Sequence, residues 1–175
     1  MDTGNDHHLF YWFFKNENET APLAFWLNGG PGSSSMFGLF LENGPVRVEK
    51  TGPTNDDFLL VPAQQSWFDD YSVLWLDQPV GTGFSYGDLT NLTMQTAGDD
   101  FVNFVSAFYN MYPEMKSVDL HLTGESYAGK YLPYFSVRLL EENKVNATNF
   151  PFVSTFMIDP YTAPALQRTH TYLVG

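Results

Sequence analysis

Ser126 is the residue in this sequence best placed to act as a nucleophile. It stands in Gly124-Glu125-Ser126-Tyr127-Ala128-Gly129, between a stretch that reads as a strand and one that reads as a helix. A serine projected from so sharp a turn needs small residues two before and two after it, because the backbone doubles back there. Gly124 and Ala128 meet that need, with Ala128 in place of the usual glycine. The turn leaves the Tyr127 N–H free to donate to an oxyanion. Alone, a Gly-X-Ser match is more often a turn without chemistry. A second segment changes that balance. Asn28-Gly29-Gly30-Pro31-Gly32 leaves an upstream strand directly, where this arrangement draws its other oxyanion N–H. The Gly-Gly pair lets the backbone approach a substrate oxygen. A phosphate-binding loop would want Gly-Lys-Ser/Thr, and this loop has no lysine.

Three polar residues extend the chemistry: Asn28, Glu42 and Glu125. Glu125 precedes the serine directly, and a buried, unpaired carboxylate there would be costly. Two carboxyl groups sharing protons could instead hydrogen-bond an incoming carboxylate, with a preference for acidic pH. Glu42 taken alone is equally compatible with a solvated loop.

These residues need strands and helices to position them. Residues 9–14, 22–27 and 71–76 are short apolar runs rich in strand formers, each ending in Gly, Pro or Asp chemistry. Residues 93–112 place Ala97, Phe101, Phe104, Val105, Phe108 and Tyr112 on one helical face, and Pro113 fits a stop. That stripe reads as core packing. Residues 119–123 form a short strand before the serine. A helix starts near Tyr127, with Pro133 early enough to kink it. Residues 152–158 are the last strand candidate. Strands alternating with helices predict an α/β fold with a mainly parallel sheet.

Composition narrows the class. The 175 residues are 43% hydrophobic, with a net charge of −12. An acidic chain is a poor partner for nucleic acid. No apolar run reaches the length of a membrane span. The start carries no basic and apolar leader pattern. There is no cysteine, so disulfides and thiolate metal sites are excluded. No metal or other cofactor is expected, and the oligomeric state is left open. Asn18, Asn91 and Asn146 begin Asn-X-Thr sequons, where roughly one would arise by chance, a hint of secretory traffic.

Taken together, the segments resemble the serine carboxypeptidase family (peptidase S10). Trp26-Leu27-Asn28-Gly29-Gly30-Pro31-Gly32-Ser33-Ser34 is similar to its oxyanion segment. Glu42-Asn43-Gly44-Pro45 is similar to its Glu-X-Gly-Pro stretch. Leu76-Asp77-Gln78-Pro79-Val80-Gly81-Thr82-Gly83-Phe84-Ser85-Tyr86 resembles a further block, and residues 124–131 its nucleophile block. The blocks keep the family's order over roughly residues 8–145. The resemblance implies an α/β-hydrolase fold and removal of C-terminal residues from peptides at acidic pH. It implies Ser126 as nucleophile and the N–H groups of Gly30 and Tyr127 as oxyanion donors. Asn28, Glu42 and Glu125 would hold the substrate's terminal carboxylate. A secretory, vacuolar or lysosomal, or extracellular location follows from the same likeness.

Three departures accompany it. Ser33 stands where the family usually has a disulfide cysteine. Residues 157–164 match the family's Ile-Gly-Asn-Pro segment only loosely. Gly175 follows Ser126 by 49 residues, whereas the acid and then the histidine of this fold come later than the serine. His7, His8 and His121 precede Ser126, and His170 lacks the family's flanking pattern. The expectation is therefore a partial α/β-hydrolase domain over residues 1–175 with little or no peptidase activity of its own. Alternatives are an acyltransferase on the same fold and a non-catalytic peptide-binding homologue.

Overall fold

A computed structural model describes every residue except 5, 55, 147 and 172–175. The described elements are, in chain order, β1 (Asp2–Gly4), β2 (His7–His8), β3 (Tyr11–Phe14), β4 (Leu23–Leu27), a π-helical turn (Gly38–Glu42), β5 (Val46–Lys50), β6 (Phe58–Pro62), β7 (Ser72–Leu76), β8 (Tyr86–Gly87), α1 (Met94–Met111), β9 (Leu120–Glu125), α2 (Ala128–Val145), β10 (Phe152–Ile158) and α3 (Pro164–Thr171). Short 3-10 turns, Trp67–Asp69 and Pro113–Ser117, complete them.

Among the described residues the central sheet runs β10-β9-β4-β7-β3. The first three pairings are parallel, and β3 closes the edge antiparallel to β7, with Trp12 opposite Trp75. Strands 4 and 7 are buried on every residue, so alternation of type shows only in which face each residue serves. On one face Leu23, Phe25, Leu27, Leu74 and Leu122 meet Phe104 and Phe108 of α1 and Leu132 and Phe135 of α2. Phe101 and Phe135 stack between the two helices at 4.4 Å. On the other face Ala24, Trp26, Val73 and Trp75 pack against Met36 and Leu39. Each such large side chain, once buried, contributes about 1.5–3 kcal/mol.

Thr93 caps α1, accepting from the Thr96 amide while Thr96 Oγ1 accepts from the Thr93 amide. The expected apolar stripe of α1 is its core face, with Tyr112 partly buried at its end. Pro133 lies inside α2, which continues for twelve residues beyond it.

Three expectations need adjustment. The strand expected over 9–14 starts at Tyr11, because Leu9 and Met1 exchange backbone hydrogen bonds and draw the chain toward the small β1-β2-β8 sheet. The strand expected over 119–123 continues to Glu125, because Gly124 and Glu125 still pair with Met157 and Ile158. Residues 46–50 and 58–62, not singled out from sequence, form an antiparallel ribbon, β5–β6, beside the central sheet.

Candidate active site

The parallel strands β4 and β9 deliver their C-terminal ends side by side, Leu27 opposite Gly124. The two glycine-rich segments therefore leave the sheet as neighbours. Gly124 has no room for a side chain: a Cβ there would lie 2.2 Å from the Leu27 carbonyl oxygen and 2.9 Å from Ala128 Cβ. Ser126 sits at the tip with φ of +56°, a conformation that costs a non-glycine residue on the order of 1–3 kcal/mol. Surrounding backbone holds it there. The Ser126 amide donates to the Ile158 carbonyl at 3.1 Å. Its own carbonyl accepts from Gly129 at 3.0 Å and from Tyr161 at 2.8 Å. The residue is exposed, and α2 starts two positions on with Tyr127 as its N-terminal cap.

The Gly29-Gly30 segment presses against this turn. A Cβ on Gly29 would meet the Tyr127 amide nitrogen at 2.4 Å and Ser126 Cβ at 2.9 Å. Gly30, Ser126 and Tyr127 line one open cleft of about 320 Å³, closed on its far side by Asp159, Pro160, Tyr161 and Gln167. The structure thus brings together the serine and both backbone donors named from sequence. It adds Asp159, Pro160 and Tyr161, from the stretch 157–164 that the sequence marked only as a loose match, and Gln167 beyond it.

Asn28, Glu42 and Glu125 are also brought together. Asn28 is buried, and its Nδ2 donates to Glu125 Oε1 at 3.0 Å. Its Oδ1 accepts from Trp26 Nε1 at 2.7 Å and from the Gly38 amide at 3.1 Å, which fixes which way the amide faces. Gly38 opens the π-helical turn that ends at Glu42, so Asn28 also anchors the element carrying the second carboxyl. Glu42 is half-buried, not the solvated loop residue its spacing allowed. Burial raises its pKa above the usual carboxylate range, and the nearby Glu125 carboxylate adds to that. The Asn28 amide and the Arg47 guanidinium pull the other way without cancelling it. Glu42 Oε2 is buried without a hydrogen-bond partner among the described residues. A protonated carboxyl of this kind can donate to an anionic ligand where an ionised one would repel it.

Sequence reasoning passed over Asp77. Its side chain is fully buried at the end of β7. It accepts from Ser34 Oγ and the Ser35 amide, both at 2.7 Å, and from the Phe84 amide at 3.0 Å. Ser35 Oγ in turn accepts from the Asn28 backbone N–H at 3.1 Å and donates to the Leu76 carbonyl. Asp77 therefore ties the segment after Gly30 to the turn at 77–85. The available signal was an acidic residue directly after an apolar strand.

The histidines have other partners. His7 pairs with Asp100 and with the Asp88 carbonyl, both at 2.8 Å. His8 stacks on Tyr86, His121 meets Ser154 Oγ, and His170 meets the Leu166 carbonyl. Among the described residues none hydrogen-bonds Ser126. The sequon residues Asn18, Asn91 and Asn146 are all exposed.

The chain is similar to known proteins over most of its length. A family model described as "Serine carboxypeptidase" matches residues 1–174. Carboxypeptidase Y of Schizosaccharomyces pombe is 43% identical over 148 residues, covering 82% of this chain and 14% of the relative. Carboxypeptidase Y homolog A of Arthroderma otae is 40% identical over 164 residues, covering 92% of this chain and 29% of the relative. The chain thus spans under a third of these relatives' length. Among solved structures, Kex1(delta)p, a prohormone-processing carboxypeptidase from Saccharomyces cerevisiae, superposes with a TM-score of 0.81 at 29% identity, over 97% of this chain and 39% of that one.

Proposed function

The chain belongs to the serine carboxypeptidase family, with an α/β-hydrolase fold, and from that premise we propose that residues 1–175 carry the nucleophile, oxyanion and carboxylate-recognition parts of an enzyme that removes C-terminal residues from peptides. The observation that carries this reading is the convergence of two sets of groups on the end of β9. Ser126 shares a cleft with Gly30 and Tyr127, and Glu125, one residue earlier, is bonded to Asn28.

In this reading the terminal carboxylate of a peptide docks on Asn28 and the Glu42–Glu125 pair, one carboxyl of which is protonated. That anchors the last peptide bond over Ser126. The Ser126 hydroxyl attacks the carbonyl carbon and loses its proton to a base, and the N–H groups of Gly30 and Tyr127 hold the oxyanion. The C–N bond breaks, the amine leaves with a proton, and water then cleaves the acyl-serine ester. Removing one oxyanion donor of this kind costs about 3–4 kcal/mol of transition-state stabilisation. With every described histidine engaged elsewhere, the 175-residue chain alone is proposed to bind such peptides with little or no turnover. The exposed sequons support passage through the secretory pathway, and no described helix is long and apolar enough to cross a membrane.

Calorimetry with an N-blocked dipeptide at pH 5, as free acid and as C-terminal amide, tests the reading. The free acid should bind and the amide should not, with Ser126→Ala leaving the free-acid affinity unchanged. Equal binding of both forms rejects the carboxylate assignment. Rapid Ser126-dependent release of C-terminal residues by the chain alone would refute its inactivity.

A further inference from the structure

Arg47 was not among the site residues named from sequence, yet it reaches the site. It lies in β5, where pairing with β6 sets it opposite Val61 and makes the ribbon a fixed support. From there Arg47 Nη2 donates to the backbone carbonyl of Glu42, the last residue of the π-helical turn. Carbonyls at the end of a helical turn lack partners within it, so a cationic donor there both satisfies the oxygen and holds the turn in place. Arg47 Nη1 is buried and has no hydrogen-bond partner among the described residues, and Glu42 Oε2 shares that condition. Arg47 also lines an open cleft of about 750 Å³ together with Phe40, Glu49, Pro62 and Gln64.

The polar groups that bear on the Glu42 carboxyl come from three directions. Glu125 approaches from the end of β9, Arg47 from β5, and the neutral Asn28 amide from the end of β4. Glu49, two residues beyond Arg47, faces the same cleft as the guanidinium. Glu125 favours a proton on Glu42, and Arg47 opposes it. Arg47 is the positive charge in this set; burial and Glu125 outweigh its pull on Glu42, and its hydrogen bond to the Glu42 carbonyl holds it in place beside the carboxyl.

We propose that Arg47 is a positioning residue for carboxylate recognition: it pins the end of the turn that carries Glu42 and places a positive charge beside the Glu42 carboxyl. The inference rests on the reading that this pair receives a peptide's terminal carboxylate. With Arg47 present, Glu42 gives up its proton at lower pH than burial and Glu125 alone would dictate. Peptide binding is therefore confined to the acidic side. Without Arg47 the Glu42 carboxyl stays protonated further up the pH scale, and binding persists there.

The test follows the Glu42 side-chain carboxyl carbon by NMR in the chain, alongside calorimetry with the free-acid dipeptide from pH 4 to pH 8. In Arg47→Gln the Glu42 titration midpoint should move up, and the alkaline limit of peptide binding should move up with it. Arg47→Lys, which keeps the charge, should stay nearer the unmutated protein than the Gln variant does. A Glu42 midpoint unmoved in Arg47→Gln overturns the inference even if free acid and amide are still distinguished. A Lys variant displaced as far as the Gln variant overturns the charge account. A moved midpoint with equal binding of acid and amide instead rejects the carboxylate reading on which the inference rests. Should Arg47→Gln fail to fold, the Arg47 Nε–H resonance of the unmutated chain serves: it should inflect at the Glu42 midpoint, and a flat trace overturns the proposal.

Discussion

Gly29 lies so close to Tyr127 that a methyl group on Gly29 would come within 2.4 Å of the Tyr127 amide nitrogen. The same methyl would meet the Glu125 carbonyl oxygen and Ser126 Cβ at 2.9 Å, and the Tyr127 and Glu125 backbone groups cannot swing aside as a flexible side chain would. The Gly29-Gly30 segment and the serine turn are thus in backbone contact, and glycine is the residue that permits it.

Gly29→Ala should therefore push the two segments apart. Overpacking of this kind costs on the order of 1–3 kcal/mol. Urea denaturation of the chain should show a loss of about 2 kcal/mol with the m-value unchanged. A loss below about 0.5 kcal/mol would mean that the two segments separate freely.

Asp77 presents a different dependence. Replacing it by Ala leaves Ser34 Oγ and the Ser35 and Phe84 amides without their acceptor inside the protein. Hydrogen bonds to a charged group are each worth about 1.5–3 kcal/mol, and stranded buried donors add to the loss. Asp77→Ala should destabilise by about 3 kcal/mol or more by urea denaturation. Amide exchange at Ser35 and Phe84 should accelerate more than exchange in α1.

Glu42 gives a stability effect with a definite sign. Its pKa is raised in the folded protein, first by burial and then by Glu125. The folded state therefore holds this proton more firmly than the unfolded chain does. That contribution is complete below the ordinary carboxylate range and fades as pH rises through the folded value. Glu42→Gln never ionises and escapes the loss. The variant should match the unmutated chain near pH 4 and exceed it in melting temperature near pH 7.5. Equal differences at both pH values would show that ionisation of Glu42 is not opposed.

The His7–Asp100 pair should behave as an acid-strengthened clasp. Burial pulls the His7 pKa down, but the hydrogen bond and charge of Asp100, with the Asp88 carbonyl, outweigh it and leave the pKa raised. A raised histidine value gives stability that is full below the unfolded value, near 6.5, and is lost as pH rises through the folded one. Asp100→Asn should cost more stability at pH 5 than at pH 8. Because Thr3 also bonds Asp100, the variant should speed amide exchange in β1 and β2 first. A cost independent of pH would remove the clasp.

Much of the site was legible as spacing. The small residues around Ser126 specify the turn because no larger side chain fits between Leu27 and Ala128. The Gly-Gly pair marks where backbone must approach backbone. Alternating strand and helix signals gave the order β4, β7, α1, β9, α2, β10, since each of these elements carries its own periodicity and its own terminator. The ribbon at 46–50 and 58–62 was less legible, because its exposed Phe58, Leu59 and Leu60 follow no alternation toward the main core.

The sequence by itself determined that a serine in a tight strand-to-helix turn and a glycine-rich segment after an upstream strand exist in the order this fold requires, because tight turns constrain residue type locally. Only the tertiary structure decided which distant polar groups share an environment. Parallel pairing of β4 with β9 sets Asn28 against Glu125, the π-helical turn swings Glu42 to meet them, and β5 brings Arg47 beside it. Burial and through-space charge act on separations in space, and separations along the chain do not report them. For that reason the proton balance of the acidic pair and the anchoring role of Asp77 emerge only once the sheet is assembled.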